Sequence, residues 1–291
     1  MKIVKVKGGL GNQLFQYAFA LVLRNHSREE VKLDLSQYGK PGENKMPIPW
    51  IMELKGSIPI ASKKEISEVL AFRHSGDPFT VKYRLGIAAE AMLNPKYYFE
   101  KDRAFRDVDA LRKYRYFDGY WQSYRYVNEV RGEMEDIVFP KAGISDVTQE
   151  MIQQVSHEES VFVGVRRGDY QKEASHYGSF GSEYFEKAMK YLEEHVVHPV
   201  YYVFSNDVEW SKKEIRWGDR QVYFREPNQQ VSDLEEFFLM KSCRHGIVMN
   251  STFHWWAAYL MNDPDKIIVR PEKWFFDNKK IDIYPSDWIS L

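Results

Sequence analysis

The chain begins with Lys2-Ile3-Val4-Lys5-Val6-Lys7, an alternation of polar and apolar residues. Gly8-Gly9-Leu10-Gly11-Asn12-Gln13 follows, and then an apolar helical pattern through Leu14, Phe15, Tyr17 and Ala18. Alternation predicts a strand and the later spacing a helix, so the order is strand, tight loop, helix. Val31–Leu35 reads as a second strand that closes a βαβ unit, and 38–45 as a loop. Residues 46–118 have weaker periodicity, with a short helix expected at Lys63–Phe72 and aromatic-rich segments around Tyr97-Tyr98-Phe99. Gly119-Tyr120-Trp121-Gln122-Ser123 precedes a helical pattern to about Phe139. Pro140–Gly143 is a break, and a helix is expected near Ser145–Ser156.

From residue 159 the pattern alternates regularly. Strands are expected at Val161–Arg166, Val200–Ser205, Gln221–Phe224, Gly246–Met249 and Lys266–Val269. Helices are expected at Glu183–His195, Val208–Ile215, Leu234–Cys243 and Thr252–Met261. Alternating strands and helices predict a parallel, doubly wound sheet. The fold class expected is α/β, with two Rossmann-like domains, 1–156 and 157–291, facing across a cleft. Ligands of such sheets bind at the carboxyl ends of the strands.

Composition narrows this picture only a little. A chain of 291 residues suffices for two domains. A formal net charge of −1 gives no electrostatic case for nucleic acid or an anionic membrane. Local basic runs such as Arg112-Lys113-Tyr114-Arg115 read as solvated faces. The 8 Trp, 19 Tyr and 18 Phe suit stacking on sugars and equally suit a large aromatic core. Cys243 is the only cysteine, which excludes an internal disulfide and a Cys-based zinc site and fits a reducing, cytoplasmic setting. The N-terminus is a strand pattern rather than a signal peptide, and no apolar run approaches the roughly 18 residues needed to span a bilayer. Peripheral membrane association and the oligomeric state stay open.

Candidate chemistry lies at the strand ends. Glycines let a ligand approach the main chain, and the N–H groups of the following helix turn favour an anion. Gly9-x-Gly11 begins a dinucleotide fingerprint, but its third glycine position is Leu14. Asp34 ends the second strand at a spacing suited to a ribose contact. No Lys-Ser/Thr follows the glycines, which excludes a P-loop; a plain packing turn is the other reading.

Three more polar clusters stand at strand ends in the second half. Gly164-Val165-Arg166-Arg167-Gly168-Asp169-Tyr170 carries two guanidiniums that can grip phosphate, or can pair structurally with Asp169. Phe204-Ser205-Asn206-Asp207 can contact a ligand, or cap the helix after it. Asn250-Ser251-Thr252-Phe253-His254-Trp255-Trp256 can take a phosphate on its hydroxyls and N–H groups, or be a cap with a core Trp pair.

Taken together, these segments resemble glycosyltransferase family 11, the α-1,2-fucosyltransferases that act on bacterial surface glycans. That family opens on a GGLGNQ-[ML]-FQYAFA-type segment, matched by Gly8–Ala20, and has a GYWQS-like segment, matched by Gly119–Ser123. Its H-x-R-R-G-D-Y, FS-[DN]-D and NSTFSWWAA segments correspond to Gly164–Tyr170, Phe204–Asp207 and Asn250–Ala258. The matches keep family order and are weakest over residues 40–115.

The resemblance implies a GT-B-like fold, a GDP-fucose donor, a glycan acceptor, no metal or other cofactor, and inversion at the anomeric carbon. It implies an acceptor-side first domain and a donor-binding second domain. Arg166 would meet the β-phosphate and stabilise departing GDP. Gly9, Gly11, Asn12 and Gln13 would line the diphosphate and fucose. Gly164, Arg167, Ser205, Asp207, Asn250, Ser251, Thr252 and Phe253 complete the implied donor site. Asp169 is the candidate base and is equally explained as the partner of Arg167. Two positions depart from the pattern: the family's His is Gly164 here, and its last-motif Ser is His254. His254 is expected to face solvent in the first turn of a helix; compensation for the lost His is the alternative.

Three rivals are weighed against this. A metal-dependent GT-A enzyme needs a DxD motif, and Asp107-Val108-Asp109 has the spacing but reads as a cap, while Asp263-Pro264-Asp265 reads as a turn. A non-catalytic glycan-binding protein on the same scaffold would bind sugar without turnover. A nicotinamide dehydrogenase lacks support because the third glycine is missing.

Overall fold

The computed structural model describes residues 1–39, 49–72, 81–167, 180–226, 231–276 and 281–291. Most of the loop expected at 38–45, and with it Gly168, Asp169 and Tyr170, lies outside the described residues. The chain divides into two compact units, Met1–Lys141 with Lys280–Ile283, and Ala142–Lys279 with Tyr284–Leu291.

In the first unit β1 (Lys2–Lys5) leads through the glycine loop into α1 (Leu10–His26) and β2 (Val31–Asp34). There follow α2 (Lys63–Val69), α3 (Val81–Leu93), β3 (Tyr97–Phe99), β4 (Tyr116–Asp118), α4 (Tyr124–Glu129) and α5 (Arg131–Ile137). The strands form one parallel sheet of order β2-β1-β4-β3. Neither β3 nor β4 was expected, because three residues are too few to display an alternation. Between Leu10 and Leu23 only Asn12 escapes full burial, so α1 is a core helix and not an amphipathic surface one. Phe19 stacks on Trp121 with ring centroids 3.7 Å apart. Residues 281–283 return to this unit, where Tyr124 N–H donates to the Asp282 carbonyl at 2.9 Å.

The second unit holds α6 (Asp146–Ser156), β5 (Ser160–Val165), α7 (Ser182–Glu193), β6 (Val200–Ser205), α8 (Val208–Glu214) and β7 (Val222–Phe224). It continues with α9 (Asp233–Lys241), β8 (His245–Ile247), α10 (Thr252–Tyr259), β9 (Ile268–Arg270) and β10 (Ile289–Ser290). Its sheet is parallel, in the order β10-β9-β8-β5-β6-β7. Every residue of β5 is buried, as a central parallel strand covered on both faces requires. The face of α7 that meets it carries Phe185, Ala188, Met189 and Leu192, spaced as one helical stripe. Each large side chain so buried contributes about 1.5–3 kcal/mol.

The expected domain boundary at residue 156 falls instead after Lys141. The reason is that α6 belongs with the second unit: Ser145 N–H donates to Glu235 Oε1 at 2.9 Å, and Thr148 Oγ1 donates to the same oxygen. The same Glu235 closes a capping box with Ser232 at the start of α9. The aromatic surplus is largely core, since Trp121, Trp255, Trp256, Trp274 and Trp288 are all buried. Among the described residues no helix is long and apolar enough to cross a membrane.

The carboxyl ends of β1 and β4 are tied by a buried charge cluster. Lys5 Nζ donates to Asp118 Oδ2 at 2.7 Å and to Tyr83 Oη at 2.6 Å. Lys7 Nζ donates to Asp118 Oδ1 at 2.6 Å, and Tyr97 Oη donates to Oδ2 at 2.8 Å. Burial pushes the Asp118 carboxyl up, but the charges of Lys7 and Lys5 and their hydrogen bonds outweigh it and hold it well below the usual carboxylate range.

Asp118→Asn would strand the Lys5 ammonium in the interior. We expect it to cost about 3–5 kcal/mol by denaturant titration at neutral pH. Because the folded-state value is depressed, this contribution is full above the ordinary carboxylate range. It is lost as pH falls through that range toward the folded value, so wild type and variant should converge in acid.

Candidate functional site

In the first unit the glycine loop is built by its neighbours' amides. Gly8 has φ +84°, a left-handed conformation that favours glycine, and a Cβ there would lie 2.5 Å from Asn12 Nδ2. The Gly8 carbonyl accepts from Gln13 Nε2 at 2.9 Å and from Tyr38 Oη at 2.7 Å. Gln13 Oε1 accepts the Ile51 N–H at 2.9 Å, so both ends of this buried amide are bonded within the protein. Asn12 Oδ1 accepts from Gln122 Nε2 at 2.8 Å, and Arg103 Nη1 donates to Gln122 Oε1 at 2.9 Å. Gln16 bridges the Lys7 N–H and the Gly119 carbonyl, at 2.9 and 3.2 Å.

Gly9 differs from Gly8. It is exposed, caps α1 with no side-chain hydrogen bond, and has no atom within 4 Å of where a Cβ would stand. The first-turn N–H groups of α1 therefore have no side-chain cap, which suits an acceptor oxygen. Gly11 is buried within that turn.

The Gly119–Ser123 segment follows β4, beside β1 in the sheet. Glu100 carboxylate oxygens accept the N–H groups of Tyr120 at 2.6 Å and Trp121 at 3.2 Å. A Cβ on Gly119 would meet Glu100 Cβ at 2.7 Å, which is why the turn needs glycine. Trp121 has φ 56°, a strained value for a bulky residue, held by the stacking of its ring in the core.

Asp34 is not available to a ribose. It is buried, accepts a hydrogen bond from Tyr116 Oη, and accepts the Ser36 N–H at 2.8 Å. The capping reading of Asp107 holds: its Oδ1 accepts the Asp109 N–H at 2.9 Å in a short 3-10 turn. Asp263 similarly accepts the Asp265 N–H at 2.9 Å in the expected turn.

In the second unit the sheet winds outward from the central pair β5 and β8. Strands β6 and β7 lie on one side, and β9 and β10 on the other. Such a reversal opens a crevice at the carboxyl ends of the central strands. The Arg166-Arg167 pair follows β5, Ser205–Asp207 ends β6, and Asn250–Phe253 follows β8. The sheet order thus brings three segments of the sequence to adjacent strand ends.

Their local bonding differs. Arg166 N–H donates to Met249 Sδ at 3.1 Å, which ties the end of β5 to that of β8. Arg167 N–H donates to Asn206 Oδ1 at 2.9 Å. Its guanidinium lies 3.7 Å from the centre of the Trp210 ring, with Nε 3.8 Å from Asp207 Oδ2. The carboxylate facing Arg167 among the described residues is thus Asp207, while Asp169, its expected partner, lies outside them. Asp207 Oδ1 accepts the Trp210 N–H at 3.2 Å as the cap of α8, and Ser205 Oγ accepts from Asp207 N–H and Ser211 Oγ, each at 2.9 Å. Asn250 is fully buried and donates to the Trp274 carbonyl at 3.1 Å. Ser251 precedes α10 without a side-chain capping bond, and half-buried Thr252 and Phe253 open its first turn.

His254 does not face solvent. It is 6% exposed, and its ring fills the space above Gly164, where a Cβ would fall 2.5 Å from Nδ1. Burial, and then the positive charge of Arg166, push its pKa down to about 3, so the imidazole is neutral. Sequence periodicity could not show this contact, because the two residues are 90 positions apart and meet only through β5 and β8. The supporting Tyr38, Glu100, Arg103 and Trp210 carry no motif signal either.

Comparison with known proteins agrees with this architecture. The family model Glycosyl transferase family 11 matches residues 1–291. The chain is 29% identical over 304 residues to an alpha-1,2-colitosyltransferase of Escherichia coli, covering 99% of this chain and 98% of that protein. It is 27% identical over 312 residues to the O-antigen biosynthesis glycosyltransferase WbnK of Escherichia coli, covering 98% and 99%. Its fold is similar to that of the fucosyltransferase NodZ from Bradyrhizobium, with TM-score 0.50 and 12% identity over 92% of this chain and 93% of that one.

The glycine loop can be tested at two adjacent positions. Gly8→Ala should cost at least about 1–2 kcal/mol through its left-handed backbone. Gly9→Ala should stay within about 1 kcal/mol of wild type, its Cβ entering open space. Denaturant midpoints separate the two, and equal losses would contradict the geometry.

Proposed function

The chain belongs to glycosyltransferase family 11, and on that premise we propose that it moves fucose from GDP-fucose to a hydroxyl of a galactoside-type surface glycan in α-1,2 linkage, with inversion and without a metal. The observation that carries this reading is the crevice of the second unit, where Arg166, the uncapped first turn of α10 and the Ser205–Asp207 turn stand at adjacent strand ends.

In the reaction the acceptor oxygen attacks the anomeric carbon of the sugar as the bond to the diphosphate oxygen breaks. Negative charge grows on the departing GDP. Arg166 and the N–H groups at the start of α10 neutralise that charge; such donors stabilise a transition state more than they do in water because they are already oriented. Ser251 and Thr252 add hydroxyl donors, and Phe253 and Asp207 meet the nucleoside. Asp169 is the carboxylate put forward to take the acceptor's proton. The first unit serves the acceptor side, and Gly9, Gly11 and Asn12 are put forward as contacts to the diphosphate and fucose. Within this set Gln13, Asn250 and Ser205 act through the backbone they hold.

A second donor is favoured by two observations. A relative that matches nearly the full chain is a colitosyltransferase, and the Gly164 and His254 positions depart from the fucosyltransferase pattern. GDP-linked colitose is therefore the competing substrate.

Purified protein should turn over GDP-fucose in preference to GDP-mannose and UDP-galactose, equally with and without EDTA. GDP-linked colitose belongs in the same assay, and its preference would move the donor assignment to the second reading. Arg166→Ala should lower kcat by about 10²–10³-fold, the usual cost of one lost oxyanion donor. Glycan binding without turnover, or no binding of any guanine nucleotide, would overturn the transferase reading.

A further inference from the structure

The imidazole of His254 is buried among the rings of Phe162 and Phe253, beside Arg166, over Gly164, the one residue of β5 that lacks a side chain. Its Nδ1 makes no hydrogen bond among the described residues. A buried, unpartnered ring nitrogen is costly and uncommon in a folded protein, and a phenyl ring in the same place would carry no such cost. It lies in the first turn of α10, where Ser251 gives no side-chain cap, and at the point where the sheet reverses its winding. Three features thus meet there: a neighbouring cation, a helix start and a ring nitrogen without a partner among the described residues. All three suit an anion with several acceptor oxygens.

Gly164 is required by the same arrangement. Any side chain there would start in collision with the His254 ring, with Cγ and Cε1 at 2.6 and 2.8 Å as well. The two departures from the family pattern therefore meet in one contact: an imidazole absent from the strand is present on the neighbouring helix.

We propose that His254 is a donor-contacting residue whose imidazole hydrogen-bonds the diphosphate of the bound sugar nucleotide, with Gly164 making room for it. The proposal rests on the transferase reading above, since it takes a nucleoside diphosphate as the ligand. A neutral ring can present an N–H to a phosphate oxygen without adding a second positive charge beside Arg166.

GDP and guanosine binding are measured by calorimetry and ligand-observed NMR, together with Tm, on four proteins. They are wild type, His254→Phe, His254→Asn and the double variant Gly164→His/His254→Ser. His254→Phe keeps the ring's bulk and should bind GDP about ten- to a hundredfold more weakly, with guanosine affinity and Tm unchanged. His254→Asn, whose amide can stand in for Nδ1, should retain most of the GDP affinity. The double variant should recover it, with the imidazole returned to the strand. Wild-type GDP affinity in His254→Phe would overturn the proposal and leave the transferase reading intact. Equal losses of GDP and guanosine binding with a lower Tm would overturn it in favour of a packing role. Failure of the wild-type protein itself to bind GDP would overturn both.

Discussion

In a doubly wound parallel sheet the winding reverses, and at that point the connections on the two sides leave in opposite directions, which opens a crevice at the strand ends between them. In the second unit the reversal lies between β5 and β8. Much of the unit's polar chemistry follows from it. Arg166, the start of α10 and the end of β6 are held at adjacent strand ends by a core that has no polar role. The buried stripe of α7 packs against β5, the strand that Arg166 follows. The Met249 thioether that accepts its N–H holds that exit against β8.

The first unit solves a related problem with side-chain amides. A loop with glycine at three of four positions gains freedom that has to be removed before a ligand can use it. Gln13, Gln16 and the Asn12–Gln122 pair remove it by occupying the loop's carbonyls and fixing its neighbours. Residues that a motif presents as ligand contacts are in part the frame that holds a few bare N–H groups in place. Behind them, Lys5 and Lys7 share the Asp118 carboxylate where β1 and β4 end. The structure keeps this charge cluster inside because each member is paired and hydrogen-bonded.

A motif match also hides exchanges between its parts. Gly164 and His254 look like two separate losses when each is set against its own segment. In the folded chain they are a single contact, and the ring expected at the surface is in the interior. The energetic reason is steric and short-ranged: only a strand position without Cβ leaves space for a ring descending from the next connection.

The long α/β alternation after residue 159 was legible because strands of six residues and amphipathic helices such as α7 carry their own periodicity. Family membership was legible because five segments keep their order along the chain. The strands β3 and β4 were not, since three residues show no period, and α3 was not, since its exposed Val81, Leu85 and Met92 blur any apolar face. The domain boundary was not, because which unit receives α6 depends on Glu235, some 90 residues downstream. The sequence by itself determined the fold class, the family and the residue types available at the strand ends, all of which rest on local pattern. Only the tertiary structure decided which of those residues meet. It paired Arg167 with Trp210 and Asp207, buried Asp34, and set His254 over Gly164, since such contacts arise from packing between elements far apart in the chain.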